Sequence, residues 1–161
     1  MAGLFKGSDL LETAVQIEKN GAAFYDAMAQ SAREENVREM ASFFAGEERK
    51  HLEIFQEMLS SAGEPQPVET YPGEYMLYVK ALADQHIFTK EQDAQELARK
   101  AASDTEAIDF ALSIERDSIL FYSEIKHFVR KSAQEVMDKI IQEERKHLRQ
   151  FAELKKQISG S

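Results

Sequence analysis

Apolar residues recur at steps of three and four through four long stretches of this chain, the period of a helix with one buried face. The first stripe runs Leu11, Ala14, Glu18, Ala22, Tyr25, Met28, and the second Val37, Met40, Phe44, Glu48, His51, Phe55, Leu59. The third runs Ile108, Ala111, Glu115, Ile119, Tyr122, Ile125, Val129, and the fourth Val136, Ile140, Glu144, His147, Phe151, Leu154. With two shorter segments between the second and third, the pattern predicts helices at about 9–32, 36–60, 74–86, 91–101, 104–130 and 133–157. No alternating pattern long enough for a strand occurs.

Short polar residues three before Glu or Gln mark helix starts: Asp9/Glu12, Asn36/Glu39, Thr89/Gln92, Ser103/Glu106 and Ser132/Glu135. The turn Ser60-Ser-Ala-Gly-Glu-Pro-Gln-Pro ends the second helix, and Tyr71-Pro-Gly precedes the third. The chain also repeats itself. Ile17-Glu18-Lys19 and Phe24-Tyr25 recur 97 residues on as Ile114-Glu115-Arg116 and Phe121-Tyr122. Glu47-Glu-Arg-Lys-His51-Leu52 recurs 96 residues on as Glu143-Glu-Arg-Lys-His147-Leu148. Two copies of one αα-hairpin are therefore expected, joined by a helical crossover at about 64–103 into an all-α four-helix bundle that forms a single domain over 1–161.

Composition narrows the chemistry. Of 161 residues, 43% are apolar and 30% charged, which suits one soluble domain. Gly (7) and Pro (3) are few, as helices require. No apolar run is long enough to span a bilayer, and Met1–Ser8 is too short for a signal peptide, so a cytoplasmic protein without a membrane role is expected. The net charge of −9, with Lys and Arg interleaved among Glu, argues against nucleic-acid binding. There is no Cys, hence no disulfide, thiolate nucleophile or cysteine-held metal centre. A metal would be held by Glu, Asp or His, which favours iron or manganese.

Each stripe is interrupted near its middle by a carboxylate, and two of them also by a His three residues later. Glu18 and Glu48 each lie 15 residues from a turn near Arg33, and Glu115 and Glu144 lie 14 and 15 from one near Val129. At about 1.5 Å per residue, antiparallel partners bring these groups to one height. Four carboxylates buried together cannot all stay charged without compensation. Two divalent cations supply that compensation, and a Glu from each of two helices plus Glu-x-x-His from each of the other two is a known di-metal ligand set. The expected metal ligands are thus Glu18, Glu48, His51, Glu115, Glu144 and His147, with two iron ions as cofactor and manganese as the alternative.

The elements Ile17-Glu18-Lys19, Phe24-Tyr25, Glu47-Glu48-Arg-Lys-His51-Leu52, Ile114-Glu115, Phe121-Tyr122 and Glu143-Glu144-Arg-Lys-His147-Leu148 resemble the ferritin-like proteins of the rubrerythrin group. The resemblance implies that Glu48 and Glu144 bridge the metals, with Glu18 and His51 completing one site and Glu115 and His147 the other. It implies a di-iron oxidoreductase that reduces peroxide or dioxygen, with no catalytic residue beyond the metal site. The alternatives are a ferroxidase that handles iron and a non-catalytic, metal-stabilised interaction module. It also implies a homodimer or higher homo-oligomer. Two departures from the group stand out. The group usually carries a cysteine-bearing rubredoxin-like tail, so electrons here would come from a separate donor such as a rubredoxin-like protein. The group also has a further glutamate one turn after the third-helix ligand, where this chain has Ser118.

Tyr25 and Tyr122 each follow a candidate ligand by two helical turns, which fits core packing and, equally, a phenol hydrogen-bonded to a ligand carboxylate. Glu47 and Glu143 are expected at the surface or supporting the ligands, and Glu53 and Glu124 facing solvent. His127 falls off its stripe and should be exposed. His86 is expected to be a packing or helix-end residue, and Phe43 with Phe44 to be core.

Overall fold

The computed structural model describes residues 7–61, 73–86, 88 and 94–160. Helix α1 spans Gly7–Ser31 and α2 Glu35–Ser61; α3 spans Glu74–Gln85 and α4 Ala94–Lys100; α5 spans Asp104–Ile125 and α6 Lys131–Ser159. The described residues contain no strand. Helices α1 and α2 pack as one antiparallel hairpin and α5 and α6 as the other. The hairpins meet along α1·α5 and α2·α6, forming the four-helix bundle.

The crossover runs the length of this bundle. It leaves α2 at Ser61, beside the α5–α6 turn, and returns at Asp104, beside the α1–α2 turn. Helix α3 packs on α5, and α4 packs along α1. Between them Phe88 stands against Phe24 of α1, ring centroids 5.7 Å apart, and its carbonyl accepts a hydrogen bond from Asn20. This route makes α1 and α5 antiparallel neighbours.

The stripes become the core: Leu11, Ala14, Ala22, Tyr25 and Met28 of α1 are buried, as are Val37, Phe44 and Phe55 of α2. In α5 the stripe passes through Ser118 rather than Ile119, which is only partly buried. Phe43 departs from expectation: it lies about 100° round α2 from the fully buried Phe44 and is 54% exposed. Helix α5 stops at Ile125 rather than near 130. A single 3-10 turn, Lys126–Phe128, follows it and turns Phe128 inward to stack on Tyr75 of α3. The same helix carries Glu124, which accepts a hydrogen bond from the Tyr75 hydroxyl and so does not simply face solvent.

Of the expected caps, Ser103 acts as one. Its hydroxyl accepts from Glu106 N–H, while the Glu106 carboxylate reaches back to Ala102 N–H. Asp9 and Asn36 lie inside the first turns of α1 and α2 instead. At α6 the cap position is Arg130, with no side-chain cap bond, so Ser132 does not cap. Thr89 lies outside the described residues. The start of α2 is served from a distance: Asp104, at the head of α5, accepts from Arg33 and Glu34 N–H. That contact ties the two hairpins together beside the first turn.

Candidate metal centre

Glu18, Glu48, His51, Glu115, Glu144 and His147 are all buried, none more than 4% exposed, and the structure brings all six together at mid-bundle. They form two groups, Glu18–Glu48–His51–Glu144 and Glu48–Glu115–Glu144–His147, in each of which one ligating atom per residue lies within 4.8 Å of the others. Glu48 and Glu144 belong to both groups.

Seven buried side-chain atoms among the described residues have no hydrogen-bond partner. Six are Glu18 Oε2, Glu48 Oε1, His51 Nδ1, Glu115 Oε2, Glu144 Oε1 and His147 Nδ1, one from each of these residues. A buried oxygen or nitrogen without a partner is costly, and six converging on one place are an open coordination sphere of hard oxygen and imidazole donors. The donor set fits two divalent cations. Gln150 Oε1 is the seventh atom.

The surrounding contacts aim these atoms inward. His51 Nε2 lies 2.7 Å from Glu143 Oε2 and donates to it, which turns Nδ1 to the centre, 2.8 Å from Glu144 Oε1 and 3.6 Å from Glu18 Oε2. His147 Nδ1 stands 3.7 Å from Glu115 and Glu144 and 3.8 Å from Glu48. Glu47, the repeat counterpart of Glu143, instead pairs with Lys50 at 2.6 Å. Lys50 draws the Glu47 carboxyl below its usual range. The two halves of the centre are thus not equivalent, although the sequence repeats.

Both tyrosines are fully buried, and both reach carboxylates. They do so across the bundle: Tyr25 of α1 donates to Glu115 of α5, and Tyr122 of α5 donates to Glu18 of α1. The antiparallel pairing of α1 and α5 dictates the exchange, because two residues seven apart on one helix meet two residues seven apart on the other in reverse order. Each phenol occupies one carboxylate oxygen and leaves the other, Oε2, facing the centre.

Electrostatics follow from this crowding. Burial and the neighbouring carboxylates hold the Glu48 carboxyl well above its ordinary range. Burial, with Glu144 close by, does the same to Glu115. Burial alone would raise Glu144, but its contacts with Glu115, His147 and His51 outweigh burial and hold it below the carboxylate range. Burial alone would lower both histidines. Glu144 and Glu18 instead push His51 up to about 12, and Glu115 and Glu144 push His147 up to about 9. In the absence of cations these surroundings favour protons on Glu48, Glu115, His51 and His147.

Gly21 shapes one wall. A Cβ on this residue would lie 2.7 Å from Glu48 Oε2, so the bare backbone of α1 makes room for a carboxylate of α2. Gly21→Ala should improve local helix propensity by up to about 1 kcal/mol. It is nevertheless expected to weaken metal binding about tenfold or more by displacing Glu48, as a calorimetric metal titration of both proteins would show. Unchanged affinity would mean that the Glu48 position does not depend on this gap.

Aromatic rings close the centre. Phe44 lies 4.3 Å from the His147 ring and 4.6 Å from Phe151, Phe151 stacks on Tyr25 at 5.5 Å, and Phe55 meets Tyr122 at 5.0 Å. His86 is, as expected, a buried helix-end residue: it caps the C-terminus of α3, its Nε2 lies 3.0 Å from Ser118 Oγ, and its Nδ1 accepts from Phe88 N–H. His127 and Glu53 are exposed, as expected. His86 and Gly21 are the parts of this surround that sequence periodicity does not reveal, whereas Ser118 falls on the α5 face one turn after Glu115.

No helix of the described residues is long and apolar enough to cross a membrane. A family model described as rubrerythrin matches residues 9–155. Among solved structures, a ferritin-like diiron-carboxylate protein from Thermotoga maritima is similar: 28% identical, covering 94% of this chain and 95% of that one, with a TM-score of 0.71. No curated protein matches the sequence significantly.

Proposed function

Since the chain belongs to the rubrerythrin family, we propose that Glu18, Glu48, His51, Glu115, Glu144 and His147 hold two iron ions, with Glu48 and Glu144 shared between them. The observation that carries this reading is the pair of buried four-residue groups with those two carboxylates in common. Iron is preferred to manganese because the similar Thermotoga maritima protein is described as a diiron-carboxylate protein. We assign the protein as an oxidoreductase whose bound iron pair supplies electrons for the two-electron reduction of peroxide or dioxygen.

The chain's own residues do the rest. Tyr25 and Tyr122 hold Glu115 and Glu18 in place, and Glu143 orients His51. Phe44, Phe55 and Phe151 exclude water, which strengthens every charge interaction inside. We assign the returning electrons to a separate donor such as a rubredoxin-like protein. A homodimer or higher homo-oligomer in the cytoplasm completes the proposal.

The test begins with anaerobic ferrous loading, metal analysis and sedimentation. This is followed by rapid mixing with peroxide or dioxygen, with and without a reduced rubredoxin-like donor. About two irons per chain and repeated turnover only with the donor are expected. Iron consumed as substrate and retained in a many-subunit shell would assign iron handling instead. A folded protein that takes up no iron would leave a non-catalytic module.

A further inference from the structure

His86 lies in the crossover, outside the six-residue centre, yet it is 1% exposed and bonded to Ser118, itself 4% exposed. Ser118 follows Glu115 by one turn of α5 and precedes Tyr122 by another, on the face that carries both. The direction of the hydrogen bond can be worked out. His86 Nδ1 accepts from Phe88 N–H at 3.2 Å, so the ring proton resides on Nε2. Nε2–H therefore donates to Ser118 Oγ at 3.0 Å. Burial, which lowers the His86 pKa to about 4, keeps the ring in this neutral form.

A serine oxygen that accepts from His86 still has its own hydrogen to give. Among the described residues the Ser118 hydroxyl makes no second hydrogen bond, so a donor is left over in a dry site. The repeat sharpens the point. At the corresponding place in the first hairpin stands Gly21, which has no side chain and lets Glu48 approach. Gly21 thus admits a carboxylate, whereas at the corresponding place in the second hairpin, one turn after Glu115, stands a hydroxyl bonded to an imidazole.

We propose that the Ser118 hydroxyl, oriented by His86, donates a hydrogen bond to the small anion or peroxide-like molecule that binds at the centre. Ser118 is then a substrate-contacting residue, and His86 a positioning residue that acts through it. The inference rests on the di-iron reading above.

Azide, a small anion with a visible absorption band on ferric iron, is the probe. Iron content is measured first, and a parent without iron would overturn the di-iron reading rather than this one. In parent protein with two irons, Ser118→Ala is expected to keep its iron and weaken azide binding about tenfold or more, the usual loss for a hydrogen bond to an anion. Ser118→Thr, which keeps the hydroxyl, should stay within about threefold of the parent. His86→Phe should reproduce the Ser118→Ala loss, and His86→Gln, whose amide N–H can replace Nε2–H, should restore most of it. Iron-loaded Ser118→Ala with parental azide affinity would overturn the proposal. So would a His86→Gln protein no better than His86→Phe, because a purely structural histidine would give that result.

Discussion

Replacing Glu48 and Glu144 together by Ala is expected to reduce iron binding from about two ions per chain to none retained through gel filtration, an affinity loss of more than about 100-fold. These two residues are the ones common to both four-residue groups. Without them each ion keeps two protein ligands, Glu18 with His51 or Glu115 with His147, and the cations lose the carboxylates that lie between them. The single variants should separate charge from coordination. Burial holds Glu48 protonated, so the metal-free Glu48→Ala protein loses little electrostatic stabilisation. The Glu144 charge sustains both protonated histidines, so metal-free Glu144→Ala should unfold at lower temperature than Glu48→Ala. A double variant that still held two irons would remove Glu48 and Glu144 from the centre.

In the metal-free protein, raising the pH from about 6 to 9 is expected to lower stability, on the order of a few kcal/mol. The folded state raises His51 to about 12 and His147 to about 9. Their ordinary value is near 6.5, so the stabilisation is complete below that value and fades above it, through about 9 for His147 and through about 12 for His51. Glu48 and Glu115 act in the same direction, since above the ordinary carboxylate range the folded state still holds protons that the unfolded chain has released. Glu144 has the opposite sign: its depressed carboxyl contributes above about 4.5 and loses that contribution as the solution becomes more acid. Iron or manganese should reverse the alkaline trend, because the ions bind the deprotonated ligands and displace these protons. Each ion at 100 to 1,000 times its dissociation constant adds about 3–4 kcal/mol. Thermal unfolding between pH 6 and 9, with and without chelator, checks both slopes. A metal-free protein that gained stability with pH would contradict this placement of protons.

The bundle and the six converging residues were legible because they lie on one period. A helix face is written every three or four residues, and a carboxylate inside an apolar face stands out, four times over. Partnership across helices is not written that way. Tyr25 and Tyr122 could be placed on the site-facing side, but their carboxylates belong to the opposite hairpin, a result of α1 and α5 running antiparallel. His86 is the buried helix-end residue its position predicts, but its bond to Ser118 depends on where the crossover lays it, 32 residues before Ser118 in sequence. Helix ends were the least readable. Asp104, about 70 residues away, serves the start of α2 in place of Asn36, and the inward turn of Phe128 ends α5 early. These are tertiary contacts that override local signals.

The crossed tyrosines bear on the origin of the chain. The first hairpin carries Glu18, Tyr25, Glu48 and His51, and the second carries Glu115, Tyr122, Glu144 and His147. Because each phenol serves the opposite hairpin, two identical copies of one ancestral hairpin would complete each other by two-fold symmetry and present the same donors. With both halves in one chain, that constraint does not apply. A glycine can then stand at position 21 and a serine at position 118, and the linker between the copies can contribute a histidine of its own. The departures from symmetry, Gly21 against Ser118 and Glu47 against Glu143, are therefore what a symmetric pair of hairpins could not hold.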